Sequence, residues 1–127
     1  MLRLRSEQMT ALGKVVQDEF ERRVIVHLRE SLPELTADLS DDDLRPRLQR
    51  GWKRAEKHGL ESQRQAVCYI DTCFLLGDDF EQNPRHAWAV DLLASEDIAA
   101  SDKADKLLER AENHYGAHGP SGGRRDG

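Results

Sequence analysis

The stretch SQRQAVCYIDTCFLLG, residues 62–77, decides the fold class because it joins a helix start, an apolar body and a helix stop. Ser62 and Gln65 form the S-x-x-Q pattern of a capping box, in which each side chain accepts a hydrogen bond from the other residue's backbone N–H. The body is apolar almost all round, which is typical of a helix at the centre of a core. Gly77 predicts where the helix ends. We therefore predict a central helix over 63–76.

Upstream of this segment, the spacing of apolar residues predicts a long first helix over roughly 7–32. Ser6 is the expected N-cap, and Pro33 predicts the end because the residue before a proline is pushed out of helical geometry. The apolar residues recur in steps of three and four, which indicates one face of an amphipathic helix. They are Met9, Leu12, Val16, Phe20, Val24, Leu28 and Leu32, widened by Val15, Ile25 and Val26.

The second helix has a clear start signal and a conflict soon after it. Ser40 with Asp43 three residues later resembles a capping box, although Glu or Gln is the usual third residue. Pro46 would fall past the first turn, where it costs a helix hydrogen bond. The sequence therefore predicts either a separate short turn at 41–44 followed by the helix, or a kinked helix. Gly59 is the expected residue just after its end.

Two shorter helices are predicted downstream. Asn83 is the expected cap of a helix over 84–94 that begins with Pro84, a favoured first residue. A last helix over roughly 102–114 is predicted to be capped by Ser101. No strand pattern and no internal repeat is apparent.

These elements predict an all-α single domain of about five helices, packed around helix 63–76 and spanning residues 1–115. Five of the nine glycines fall in the last twelve residues. Since that segment has no apolar residue larger than alanine, little free energy is available to order it. We predict that residues 116–127 form a disordered tail.

Charge and hydropathy exclude several classes of partner. The net charge is −5, whereas proteins that bind nucleic acid or anionic membranes carry a basic excess or stripe. The most basic stretch is RPRLQRGWKRAEKH, residues 45–58, which we interpret as a solvated helix face because acids flank it. No apolar run approaches the ~18–20 residues of a membrane span, and the start lacks a secretory signal. We expect a cytoplasmic protein that binds neither nucleic acid nor membrane.

No catalytic or metal-binding set is predicted. Cys68 and Cys73 lie about 140° apart around their helix, so they cannot pair with one another and are expected to be buried thiols. The five histidines are spread along the chain, and the isolated glycines form no phosphate loop. Asp71 is the one acid expected to be partly buried, in a structural ion pair with an arginine such as Arg64 or with a residue of another helix. The sequence predicts no cofactor.

The segment LLGDDFEQNPRHAWAV, residues 75–90, shares one feature with a cation loop, because Asp79, Glu81 and Asn83 alternate as calcium ligands do. The pattern fails at the next position, where an EF-hand needs glycine and this chain has Pro84. We interpret the segment as a helix-to-helix corner whose acids favour the start of the following helix.

Aromatic residues at this corner predict the partner-binding surface. Phe80 stands between acids, and Trp88 follows one turn into the next helix; buried aromatic anchors often dominate protein interfaces. The predicted partner-binding residues are therefore Asp79, Phe80 and Trp88. Whether Phe80 faces the core or a partner is left open, and for Trp88 the core is favoured.

The order of motifs resembles a group of small helical proteins encoded beside bacterial type VI secretion effectors. A long first helix is followed by the acid-rich LSDDDL, the helix end RAEKHGL and a capped apolar helix. The resemblance covers roughly residues 3–114, and departs from the group where a second proline often precedes the tryptophan. The closing pattern is matched by Gly77, Asp79, Phe80, Pro84, Trp88 and Ala89.

The resemblance implies a non-enzymatic adaptor or co-chaperone that binds a secretion effector or its chaperone and assists loading. The alternative is an immunity protein whose acidic surface neutralises a basic toxin. A small metal-dependent enzyme is the third hypothesis.

Overall fold

The computed structural model describes residues 11–118, and within that range the chain is all-α, with no strand. The predicted all-α class is confirmed, while Ser6 and residues 119–127 lie outside the described residues. None of the helices in the described range is both long and apolar enough to cross a membrane. The helices are α1 Ala11–Ser31, α2 Pro33–Thr36, α3 Asp41–Lys57, α4 Gln63–Leu76, α5 Ala87–Ala94 and α6 Ala100–His118.

The chain divides into two compact units, an N-terminal unit of residues 1–49 and a C-terminal unit of residues 50–127. The first half of α3 belongs to the N-terminal unit and the second half to the C-terminal unit. The partner-binding residues predicted from the sequence all lie in the C-terminal unit.

The predicted stripe of α1 is partly buried in the N-terminal unit, and the side chains of its members Met9, Leu12 and Val15 lie outside the described residues. Phe20, Val24 and Leu28 are buried as expected, but Val16 and Val26 are exposed, Val26 by 51%. The stripe is therefore narrower than its apolar composition suggested. Between the helices lies the buried carboxylate of Glu21, only 1% exposed. Its oxygens accept hydrogen bonds from Gln17 of α1 at 2.9 Å and from Gln49 and Arg45 of α3 at 2.8 and 3.3 Å.

Arg29 holds the chain reversal that leads from α1 to α3. The first helix ends at Ser31, close to the end that Pro33 predicted, and Pro33 opens the short helix α2, which the sequence did not predict. The guanidinium of Arg29 donates to the carbonyl oxygens of Thr36 and Leu39 at 3.1 and 2.8 Å. It also pairs with the carboxylate of Asp41 at 2.7 Å, so one side chain satisfies three acceptors. Such charge-assisted bonds are stronger than neutral ones, so Arg29 stabilises the short connection between α1 and α3.

The predicted capping box at the start of α3 forms with aspartate in the third position. The Ser40 hydroxyl accepts from the Asp43 N–H, and the Asp43 carboxylate accepts from the Ser40 N–H, both at 3.1 Å. The expectation of a separate turn at 41–44 is wrong, because α3 runs unbroken through Pro46. Pro46 cannot donate a helix hydrogen bond. The capping box, the three acids of the first turn and the apolar face together stabilise the helix in spite of that loss.

Gly59 ends α3 as predicted, in a Schellman motif. Its φ of +80° is left-handed, a conformation that glycine adopts without a Cβ clash. The N–H of Gly59 donates to Glu56, and the N–H of Leu60 donates to Ala55, which satisfies two carbonyls at the helix end. The side chain of Leu60 is fully buried, so the turn is anchored to the core of the C-terminal unit.

The fourth helix has the predicted bounds, and its predicted capping box between Ser62 and Gln65 is present. Every residue from 68 to 74 is buried, as the apolar sequence required. It packs extensively against α6. Gly77, with φ +109°, ends the helix and donates its N–H to Cys73.

The starts of the last two helices differ from their predicted positions. Asn83 does cap a helical turn, but Pro84–His86 is a 3-10 turn and the α-helix begins three residues later, at Ala87. Lys103 donates its N–H to Ala99, so Ser101 lies inside the first turn of α6 and is not its cap. The last helix also continues to His118, past the predicted end at 114 and into the segment predicted as a tail.

Gly51 marks the closest approach of α3 to α4, and its substitution tests that packing. A Cβ added at Gly51 would lie 3.0 Å from Cγ1 of Ile70. We expect Gly51→Val to lower the free energy of unfolding by about 1–3 kcal/mol through overpacking. The matched control is Gly116→Ala in α6, which has open space around it and should gain about 0.5–1 kcal/mol of helix propensity. Urea denaturation followed by circular dichroism measures both, and a Gly51→Val protein as stable as wild type would contradict this packing.

Candidate functional site

The candidate site is the corner, residues 77–88, which joins α4 to α5 in the C-terminal unit. Two consecutive 3-10 turns, Phe80–Gln82 and Pro84–His86, form its backbone. The Asn83 side chain accepts from the N–H of Arg85 at 3.0 Å and starts the second turn. The corner is therefore built from tight turns rather than from an open ligand loop.

Arg50 and Arg54 of α3 hold the first acid of the corner. Arg50 donates through Nε and Nη2 to one oxygen of Asp78, at 3.2 and 2.9 Å. Arg54 donates to the backbone carbonyl of Asp78 at 2.5 Å, and its guanidinium lies 3.8 Å from the carboxylate. Fixing both the side chain and the backbone of one residue sets the direction in which the chain leaves α4.

Glu81 is the second acid whose carboxylate faces inward, and three side chains contact it. Nε2 of His58 lies 3.1 and 3.2 Å from the two carboxylate oxygens, so this nitrogen carries the proton. The Tyr69 hydroxyl donates to the same carboxylate, and Arg54 lies 3.6 Å from it. Burial alone would raise the pKa of Glu81, but the hydrogen bond from His58 and the charge of Arg54 bring it below its ordinary value.

Of the three predicted partner-binding residues, Phe80 does not reach the surface. Phe80 is completely buried, with its ring 5.6 Å from the ring of Tyr69 and the Arg54 guanidinium 5.9 Å away. Its ring therefore anchors the corner to the core and cannot reach a partner in this structure. Asp79 is exposed. Trp88 is half-buried, and the guanidinium of Arg110 covers its ring at 4.4 Å, a cation–π geometry.

The basic stretch 45–58 supplies the cations of the corner, which the sequence interpretation as a solvated face missed. Arg50, Arg54 and His58 are spaced four residues apart, so they lie on one side of α3 and meet Asp78 and Glu81. The spacing of these three residues was visible in the sequence. It could not show that the acids they contact lie more than twenty residues further along the chain.

The prediction for Asp71 holds for its burial, whereas Arg64 has a different carboxylate partner. Asp71 is buried, 5% exposed, as expected. However, Arg64 donates to Asp105 of α6 at 2.7 Å, an exposed pair between the two helices. Cys68 and Cys73 are buried and form no disulfide, as predicted.

The N-terminal unit has a separate open pocket of about 450 Å³. Asp18, Arg22, Asp41 and Arg45 line it, two acids and two bases, beside Ile25 and Val26. Because its charges balance, the pocket offers no clear preference for an anionic or cationic ligand.

The side chains of the corner serve to fix its conformation. Asp78 and Glu81 face inward onto cations and a hydroxyl, while Asp79, Gln82 and Asn83 are exposed. No protein-family model, curated protein or solved structure matches the chain.

The pH dependence of stability tests the environment of Glu81. Because the folded pKa is lowered, the contribution of Glu81 is complete above the ordinary pKa of a glutamate and is lost as the pH falls through the folded value. We expect stability to fall below about pH 5, and to fall less steeply in Glu81→Gln. The control is Gln82→Ala, an uncharged change at the exposed neighbour. Equal slopes for wild type and Glu81→Gln would refute the assignment.

Proposed function

We propose that this chain is a non-enzymatic adaptor or co-chaperone that binds a type VI secretion effector, or the chaperone of that effector, and assists its loading in the cytoplasm. The resemblance in the order of its motifs suggests the class of partner. The corner supports the binding role, because its shape is fixed before any partner arrives. Preorganised surfaces lose less conformational entropy on binding, which favours affinity.

The observation that carries the proposal is the division of the corner into an inner and an outer side. The inner acids, Asp78 and Glu81, are tied to α3 by ion pairs. On the outer side Asp79 is exposed, and α5, the helix that follows the corner, has an exposed face. That face carries Ala87, Val90, Asp91 and Ala94, with Val90 39% exposed. Small apolar groups beside an acid, next to the half-buried ring of Trp88, form a surface suited to a protein partner with apolar and basic groups.

Co-purification tests the proposal. The chain is expressed with the products of its neighbouring genes, in wild-type form and as Asp79→Lys and Val90→Glu variants. Wild type should retain an effector or its chaperone, and each variant should lose it while remaining folded. The matched control is Glu30→Lys, which makes the same charge change at an exposed position of α1. A well-folded wild-type protein that retains none of these products contradicts the proposal.

The second candidate is an immunity protein, which the net charge of −5 favours because an acidic surface can cover a basic toxin site. Co-expression separates the two functions. An immunity protein rescues cells from its toxin, whereas a loading factor changes the abundance or secretion of the effector.

A further inference from the structure

One edge of α6 carries bases and no acids. Its members Lys103, Lys106 and Arg110 follow one another in steps of three and four, so they lie along one side of the helix. The acids of α6 recur at similar steps on a different edge, and they are Asp102, Asp105, Glu109 and Glu112. We call the three bases the basic edge. It is a locally basic surface on a chain whose net charge is −5.

Two members of the basic edge are held against α5. The ammonium group of Lys103 donates to the carbonyl oxygen of Leu93 at 3.0 Å, in the last turn of α5, where carbonyls have no donor from the helix itself. The guanidinium of Arg110 lies over the ring of Trp88 at 4.4 Å, at the start of α5. Because seven residues of helix separate Lys103 from Arg110, the basic edge runs beside α5 for about 10 Å.

The charges of Lys106 and Arg110 are not neutralised within the part of the chain that the structure describes. Both residues are exposed, and neither forms an ion pair or a hydrogen bond with a described residue. Asp91, the acid nearest to Trp88 in sequence, forms no ion pair with them. Six other arginines do pair with a carboxylate, namely Arg22, Arg29, Arg45, Arg50, Arg54 and Arg64. Contact with a ring face leaves N–H donors of the Arg110 guanidinium available to a carboxylate from outside.

We propose that the basic edge and the ring of Trp88 dock an acidic segment of the protein partner. Carboxylates of that segment would contact Lys106 and Arg110, and an apolar side chain would pack against the indole. A guanidinium can hold a carboxylate through two hydrogen bonds, and tryptophan and arginine often dominate the energy of an interface. The inference rests on the proposed function, because it names the chemistry of one segment of that partner. The acidity of the whole chain favours a peptide over a nucleic acid.

The acidic segment complements the exposed face of α5. That face carries Asp91, which attracts basic groups of the partner, whereas the basic edge of α6 attracts acidic groups. Attraction of opposite sign at two separate places fixes the orientation in which a partner binds, because the reversed orientation would bring like charges together.

Titration of the full chain with a synthetic peptide tests this docking surface. The probe is acetyl-EELEELEE-amide, and its control is acetyl-QQLQQLQQ-amide, which keeps the length and the leucines. Nuclear magnetic resonance follows the indole N–H signals of Trp52 and Trp88, which Trp88→Phe assigns. The glutamate peptide should shift the Trp88 signal in a saturable manner and leave the Trp52 signal unchanged. The glutamine peptide should shift neither signal.

Substitutions in α6 test which side chains bind the peptide. Arg110→Gln and Lys106→Gln should each weaken the affinity by at least about threefold, as expected for the loss of one exposed charge pair. Lys57→Gln, which removes an exposed charge from α3, is the matched control and should bind as wild type does. Raising the salt concentration should also weaken binding, because salt screens exposed charges. Circular dichroism checks that each variant keeps its helix content.

Three results would overturn the proposal: no saturable shift at millimolar peptide, equal shifts with the glutamate and glutamine peptides, or equal affinities in wild type, Arg110→Gln and Lys106→Gln. An oligouridylate of the same length that binds more tightly than the glutamate peptide would also overturn it, and would assign the surface to single-stranded nucleic acid. The titration uses no natural partner, so its failure is distinct from a failure of co-purification.

Discussion

Replacing Phe80 by alanine is expected to lower the free energy of unfolding of the C-terminal unit by about 3–5 kcal/mol, the range for a fully buried phenylalanine. The ring is completely buried and packs against Tyr69. It stands on a 3-10 turn of three residues, which has too few backbone hydrogen bonds to hold the corner unaided. Loss of the ring would leave a cavity and, at the same time, detach the corner from the core.

The two tryptophans make the measurement specific, because Trp52 and Trp88 both belong to the C-terminal unit. Urea unfolding followed by their fluorescence therefore reports on this unit. Asp79→Ala is the matched control, since Asp79 is the exposed neighbour of Phe80 and should change stability by less than about 0.5 kcal/mol. A loss below about 1 kcal/mol in Phe80→Ala would show that the ring is not the anchor.

The second large effect is expected at Arg54, whose guanidinium reaches both inward-facing acids of the corner, Asp78 and Glu81. It contacts the carbonyl of Asp78, the carboxylate of Glu81 and the faces of Tyr69 and Phe80. Arg54→Met keeps much of the aliphatic part of the side chain and removes the charge. Because Arg54 is 28% exposed, we expect a loss of about 2–4 kcal/mol, slightly below the range for breaking a fully buried ion pair.

The adjacent residue provides the control for Arg54. Lys53→Met removes the same charge from an exposed position on the same helix and should change stability by less than about 0.5 kcal/mol. A double-mutant cycle with Glu81→Gln then isolates the coupling between the two side chains. Additive effects in that cycle would mean that Arg54 stabilises the corner through Asp78 and ring packing alone.

Helix ends with a local chemical signal were predictable from the sequence. The capping box at Ser62 and Gln65 and the stop at Gly77 set the bounds of α4, because caps act within one turn of the residues that form them. Gly59 behaved in the same way. Local signals failed where packing or a neighbouring residue outweighed them, as at Pro46 inside α3 and at Ser101, where α6 had already begun.

The candidate site was less predictable, because its defining contacts join residues distant in sequence. The distances between Arg50 and Asp78, or between His58 and Glu81, follow from how α3 meets the corner and not from the pattern of either segment. For the same reason the sequence left open which way Phe80 faces. The ring contact between the buried His86 and His114 likewise depends on packing between the corner and α6.

The two thiols inside α4 have a consequence for anyone handling this protein. Burial raises the pKa of the Cys68 thiol, and only thiolates react rapidly with alkylating reagents. Cys68 and Cys73 therefore stay protected for as long as α4 keeps its place. The rate at which the two thiols are labelled therefore measures how often α4 separates from its neighbours. This measurement needs no substitution in the chain.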